Sequence, residues 1–80
     1  MENGTSQRAA VLRVLEGLGE GATMCAGMVA RRVGTTLREL RGLLVDMQRD
    51  GEIEVFQRGA RVDLRTARGP IRVSARRSSR

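Results

Sequence analysis

Histidine, lysine, tryptophan and tyrosine are absent from the 80-residue chain, which has one cysteine, one proline and one phenylalanine. Without histidine there is no Ser–His–Asp or Cys–His arrangement. A single cysteine gives neither an intrachain disulfide nor a thiolate zinc site. The nine acidic residues are dispersed, without an obvious metal-binding or acid–base pair. We therefore expect a protein that is not an enzyme and that needs no metal or other cofactor.

The chain also lacks a long apolar run, since no stretch approaches the roughly 18 residues of a transmembrane helix. Its start, MENGTSQR, has neither the basic residues nor the apolar segment of a secretory signal. We therefore expect no membrane partner and a cytoplasmic location, nucleoid-associated or, for a phage-encoded protein, in the host cytoplasm. With 40% hydrophobic and 30% charged residues, the composition suits one small soluble domain.

The net charge is +6, and all fifteen basic residues are arginine. Arginine presents a planar fork that suits phosphate and the guanine edge, although a GC-rich coding bias also favours arginine over lysine. Residues 1–65 carry ten arginines and nine acids, a net charge of +1, whereas residues 66–80 carry five arginines and no acid, a net charge of +5. The surplus positive charge therefore lies in residues 66–80.

Apolar spacing predicts three helices. The first begins at Thr5 or Ser6, because either can cap it, and runs to about Leu18. A short extended piece at 22–24 precedes the second helix, which ends at Val33.

The third helix, 36–50, has the clearest signals. Thr36 and Glu39 have the spacing of a capping box, and three apolar residues follow at i, i+4 and i+7 spacing: Leu40, Leu44 and Met47. Gly51 ends the helix.

A β-hairpin is predicted next, with Arg58-Gly59 as its turn. Alternating apolar residues then set the register of the two strands. The predicted pairs are Ile53 with Leu64, Glu54 with Asp63, Val55 with Val62, and Phe56 with Arg61. From Thr66 the pattern stops, and residues 66–80 are predicted to form a disordered basic arm.

Three stretches resemble winged helix-turn-helix proteins, such as the MarR-, ArsR- and GntR-type domains of bacterial and phage regulators. They are VARRVG at 29–34, the capped helix 36–50, and Gly-Glu-Ile at 51–53. The resemblance implies an α+β fold of three helices followed by a two-stranded β-hairpin wing. The domain would span 6–65, between a flexible N-terminus at 1–5 and the disordered arginine-rich tail at 66–80.

The resemblance also implies sequence-specific binding of double-stranded DNA, as in a small transcriptional regulator. The third helix would lie in the major groove, with the wing and tail on the backbone or in a minor groove. Arg38 and Arg41 are the candidate base readers, or alternatively bind phosphate or Glu39. Thr36 serves at least as a cap. The predicted DNA-binding residues are Thr35, Thr36, Leu37, Arg38, Arg41, Gln48, Arg58, Arg61, Arg68, Arg72, Arg76 and Arg77.

Two other functions stay open. A winged helix can serve as a protein-interaction module, for example in a phage protein that binds a host factor, and the near-neutral charge of residues 1–65 favours this. Single-strand or RNA binding ranks third, because Phe56 is the only aromatic residue. We interpret Phe56 as a cover for the stem of Arg61, and Cys25 as a small buried residue. A homodimer is a further alternative, since one winged helix reads few base pairs.

Overall fold

The computed structural model describes the backbone of residues 3–76 and the side chains of residues 7–76. Its elements are α1 (Asn3–Glu16), β1 (Met24–Cys25), α2 (Ala26–Arg32), α3 (Leu37–Arg49), β2 (Ile53–Gln57), β3 (Ala60–Arg61) and β4 (Arg72–Ala75). The fold is α+β with three helices, as predicted. None of the described helices is long and apolar enough to cross a membrane.

Helix α3 forms for the reasons that the sequence suggests. Thr36 is its N-cap, and the Thr36 hydroxyl accepts the backbone N–H of Glu39 at 3.2 Å. The Glu39 carboxylate accepts the hydroxyl of Thr35 at 2.9 Å, so the second half of the predicted capping box is replaced by a contact with the preceding residue. The apolar face is fully buried: Leu40, Leu44 and Met47. Gly51, with φ of 80°, reverses the chain after the helix.

The four strands form one antiparallel sheet in the order β1-β4-β2-β3, so the prediction of a two-stranded sheet is wrong. The prediction of a disordered segment is also wrong for Arg72–Ala75, which forms β4 in the middle of the sheet. Val73 of β4 pairs with Met24 and Val55, and Ile71 and Val73 are buried in the core. Arg77, predicted as part of the tail, lies outside the described residues.

The hairpin turn at Arg58-Gly59 is confirmed, with φ of 55° and 82°, both left-handed as in a type I′ turn. Phe56 pairs with Arg61, as predicted. Within the described chain, β3 ends at Arg61, so the predicted pairs of Ile53 with Leu64 and Glu54 with Asp63 do not form. Ile53 and Glu54 pair instead with Ala75 and Ser74 of β4.

Candidate nucleic-acid interface

The segment 62–67, which follows the hairpin, covers part of the helix face that was expected to meet DNA. The Arg41 guanidinium donates to the backbone carbonyl of Leu64 at 3.3 Å and to that of Ala67 at 2.7 Å. Arg41 is half-buried and therefore does not lie on an open helix face. Its donors stabilise a stretch of chain that makes no regular strand.

The side chain of Gln48 hydrogen-bonds the backbone of the same segment, as a neighbouring strand would. Its side-chain amide donates to the carbonyl of Val62 at 2.7 Å, and its oxygen accepts the N–H of Leu64 at 2.8 Å. These two bonds use the backbone groups that a longer β3 would have paired across the sheet. The side-chain amide of Gln48 is therefore used in hydrogen bonds that stabilise the fold.

The exposed strip of α3 carries both signs of charge. Arg38, Glu39 and Gly42 are exposed on its first half. On its second half Arg49 contacts Asp46 at 3.2 Å. Of the other residues predicted near this helix start, Leu37 is half-buried against the core, and Thr35 and Thr36 make the capping contacts described above.

One groove lies between the second half of α3 and the chain that follows the hairpin; we call it the paired groove. Its volume is about 420 Å³, and it is lined by Val45, Gln48, Arg49, Arg61, Val62, Asp63 and Arg65. Each of its arginines contacts a carboxylate. Arg61 lies 3.4 Å from Glu54, and Arg65 lies 3.0 Å from Asp63. The hydrogen bonds from Arg65 lower the pKa of Asp63 below its ordinary value.

A second groove, which we call the basic groove, has a volume of about 430 Å³. It is lined by Cys25, Phe56, Gln57, Arg58, Arg68, Gly69, Pro70, Ile71 and Arg72. Within residues 7–76, no carboxylate lies within 4.0 Å of the guanidinium nitrogens of Arg58, Arg68 or Arg72. Three arginines therefore line one concave surface with no carboxylate beside their guanidinium groups in this part of the chain.

The backbone of the basic groove is fixed by the hairpin. The side-chain amide of Gln57 donates to the carbonyl of Arg68 and, at 3.3 Å, to that of Pro70. These bonds fold residues 68–70 against the end of β2, beside Arg58. On the far side, Arg72 donates to the hydroxyl of Thr23 at 2.8 Å and to its carbonyl at 3.1 Å.

Cys25 forms the edge of the basic groove and is exposed, so the expectation of a buried cysteine is wrong. It is the N-cap residue of α2. The backbone N–H groups of Met28 and Gly27 near the thiol, and the positive charge of Arg72, lower the pKa of Cys25. This direction makes the thiol a stronger acid than an ordinary cysteine.

The structure brings together only some of the residues predicted to bind DNA. Arg58, Arg68 and Arg72 share the basic groove, whereas Arg61 is ion-paired in the paired groove. Arg76 is exposed, and its guanidinium lies over Gly51. Sequence reasoning missed the groove-forming roles of Gln57, Pro70 and Cys25. The alternation Ile71, Val73, Ala75 was the one signal that could have placed the 68–72 stretch beside the sheet.

A search of curated proteins found no match. The sequence profile of the family described as "Protein of unknown function (DUF3253)" matches residues 5–76, which include the whole sheet and the linings of both grooves. This match extends over nearly the full length of the chain, and the chain therefore belongs to the DUF3253 family.

Proposed function

We propose that the domain is a winged helix that binds double-stranded DNA, with the basic groove as its main phosphate contact. The order helix, short strand, two helices and hairpin agrees with the winged helices that the sequence resembles. In this proposal β3 and the chain up to residue 71 form a long wing between β2 and β4. A role as a small transcriptional regulator would follow from sequence-specific binding.

The observation that carries the proposal is that Arg58, Arg68 and Arg72 line one groove and, within residues 7–76, contact no carboxylate. Arg72 also donates to Thr23, so Arg58 and Arg68 are the main candidates for phosphate. A guanidinium without a carboxylate partner can give its donors to phosphate oxygens, in a bidentate geometry. Binding a duplex in this way releases counterions, so the affinity should fall steeply with salt. The +6 net charge of the chain supports the same partner.

A hydrogen bond links α3 to the segment that leads into the basic groove. Arg41 binds the carbonyl of Ala67, which places the neighbouring Arg68 close to the first half of α3. Arg38 lies one helical turn before Arg41 and is exposed. We therefore propose Arg38, rather than Arg41, as the base-reading arginine, with Arg58, Arg68 and Arg72 on the backbone.

The test uses fluorescence anisotropy of the full chain with a random-sequence duplex over a range of salt concentrations. We expect the double variant Arg58→Ala/Arg68→Ala to bind more weakly and to flatten the slope of log affinity against log salt by about 2. The matched control, Arg49→Ala/Arg65→Ala, removes the same charge from the paired groove. An equal loss in both variants would show that overall charge, and not the basic groove, binds DNA.

The base-reading role of Arg38 needs a selected site. Selection from random duplexes should enrich a sequence, and Arg38→Ala should then weaken the enriched site by about 1–3 kcal/mol while leaving random duplex nearly unchanged. Arg13→Ala, which removes an exposed arginine from α1, is the control. An equal loss of affinity for the enriched and the random duplex would mean that Arg38 binds phosphate and reads no base.

The mixed charge of the exposed α3 strip favours a second candidate function, a protein-interaction module. Glu39 and Asp46 would both face a DNA backbone unfavourably, whereas a protein partner can match alternating signs. A wild-type chain that fails to bind any duplex at low salt would support this candidate.

A further inference from the structure

Phe56 lies in the middle of a row of side chains that crosses the sheet. The strand register places Phe56 of β2 opposite Arg61 of β3 on one side and opposite Arg72 of β4 on the other. Arg72 in turn lies opposite Cys25 of β1. Directly opposed residues point to the same face of a sheet, so the row stands on the face opposite to the buried Val55.

The charged ends of the two flanking arginines are held by other partners. The Arg61 guanidinium contacts Glu54, and the Arg72 guanidinium binds Thr23. The register places the two arginines on either side of Phe56 along the row. The ring is half-buried and lines the basic groove, together with Pro70.

The basic groove is thus lined by an aromatic residue and by three arginines. Its volume of about 430 Å³ falls within the range of about 300–1,000 Å³ that is usual for small-ligand sites. An aromatic ring beside cationic side chains suits a base joined to a phosphate, because the base stacks on the ring while the phosphate binds the cations. The internal base pairs of a duplex are stacked on both faces and offer no free face to Phe56, and a blunt end exposes only the outer face of its last pair.

We infer that the basic groove binds one nucleotide unit, an unpaired base stacked on Phe56 with its phosphate on Arg58 and Arg68. This inference rests on the proposed function, because it uses the same arginines, and it adds the chemical class that the groove selects. The same chemistry is present in an unpaired strand end and in a free nucleotide. The experiment therefore includes both sources.

The full chain is titrated with three labelled duplexes of equal length: a blunt one, one with four unpaired nucleotides at one end, and one whose unpaired end consists of abasic sites. The abasic end keeps the added phosphates and lacks the bases. We expect the end with bases to bind about tenfold more tightly than the abasic end. Adenosine monophosphate should compete with the unpaired end.

Phe56→Leu keeps an apolar side chain and removes the ring, so it should abolish the difference between the two unpaired ends. Phe56→Trp keeps a ring and should preserve the difference. Circular dichroism checks that both variants are folded, and the wild-type comparison of the two ends needs no variant. Equal affinity for the normal and abasic ends, without competition by the nucleotide, would overturn the inference.

The failure of this inference is distinguishable from the failure of the proposed function. Blunt-duplex binding that depends on Arg58 and Arg68, together with equal affinity for both unpaired ends, would overturn the stacking role of Phe56 alone. Competition by the free nucleotide without any blunt-duplex binding would support the nucleotide site and overturn duplex recognition.

Discussion

The paired groove and the basic groove differ in the partners of their arginines. Their volumes are about 420 and 430 Å³, and each is lined by three arginines. In the paired groove every arginine contacts a carboxylate within 3.4 Å. In the basic groove none does, among the side chains that the structure describes. The comparison teaches that the number of arginines in a groove does not fix its charge balance, because the fold decides which of them lie beside a carboxylate.

The difference has a local origin. Arg65 lies two residues after Asp63, and Arg49 lies three residues after Asp46, so short-range spacing brings these opposite charges together. The arginines of the basic groove come from three separate places along the chain. Their sequence neighbours are Gln57, Gly69 and Val73 among others, and not acids.

The largest effect is expected from ending the chain at Thr66, which removes β4. Ile71 and Val73 are almost completely buried, and burial of each such side chain stabilises by about 1.5–3 kcal/mol. Since a small domain has only about 5–15 kcal/mol of net stability, we expect this chain to be unfolded by circular dichroism. A chain that ends at Arg76 should remain folded. A folded chain ending at Thr66 would mean that the paired groove forms independently of the basic groove.

A smaller loss of stability is expected from Arg41→Ala, which releases the segment between the two grooves. The carbonyls of Leu64 and Ala67 would lose a charged donor, a change that typically costs about 1.5–3 kcal/mol. Urea unfolding measures this loss. Arg38→Ala removes an exposed arginine from the same helix and should change the free energy of unfolding by less than about 0.5 kcal/mol. Equal losses would contradict the role of Arg41 in holding the segment.

The paired groove should gain anion affinity when its carboxylates are neutralised. Glu54→Gln/Asp63→Asn frees Arg61 and Arg65, and we expect duplex affinity to rise about tenfold at low salt. The control, Glu16→Gln/Glu20→Gln, makes the same change in net charge at the last residue of α1 and in the turn that follows it. A comparable rise in the control would mean that the total charge of the chain, and not the release of Arg61 and Arg65, sets the duplex affinity.

The smallest effect concerns pH. The hydrogen bonds from Arg65 lower the pKa of Asp63, so this ion pair contributes stability above the unfolded-state pKa of about 3.9 and loses it as pH falls through the lower folded pKa. Both groups are exposed, and the change in stability should be slight. In a ¹³C NMR titration of the Asp63 carboxyl, Arg65→Gln should move the midpoint up towards 3.9. An unchanged midpoint would contradict the ion pair between Asp63 and Arg65.

The sequence was sufficient for the parts of the fold that depend on local signals. The cap at Thr36, the buried face of α3 and the turn at Arg58-Gly59 each follow from residues close together in the chain. β4 was missed because it is short and its apolar residues alternate with Arg72 and Ser74 in an arginine-rich stretch. Only burial against residues far along the chain makes it a strand.

The candidate site was less predictable than the fold. Arginine positions are evident in the sequence, but the partners of Arg41 and Gln48 are backbone groups of residues 62–67. Such contacts depend on where an irregular segment lies in three dimensions. The grouping of Arg58, Arg68 and Arg72 likewise requires β4 and the hydrogen bonds of Gln57.

The central position of β4 has a consequence for folding kinetics. Its pairing with β1 joins Met24 to Val73, residues separated by 49 positions. Closing so long a loop costs entropy before the contact stabilises the chain, so we expect β4 to dock late, after α3 and the hairpin have formed locally. Because Val73 also pairs with Val55 of β2, its docking completes the sheet and the core in one step. The arginines of the basic groove would therefore come together only in that final step.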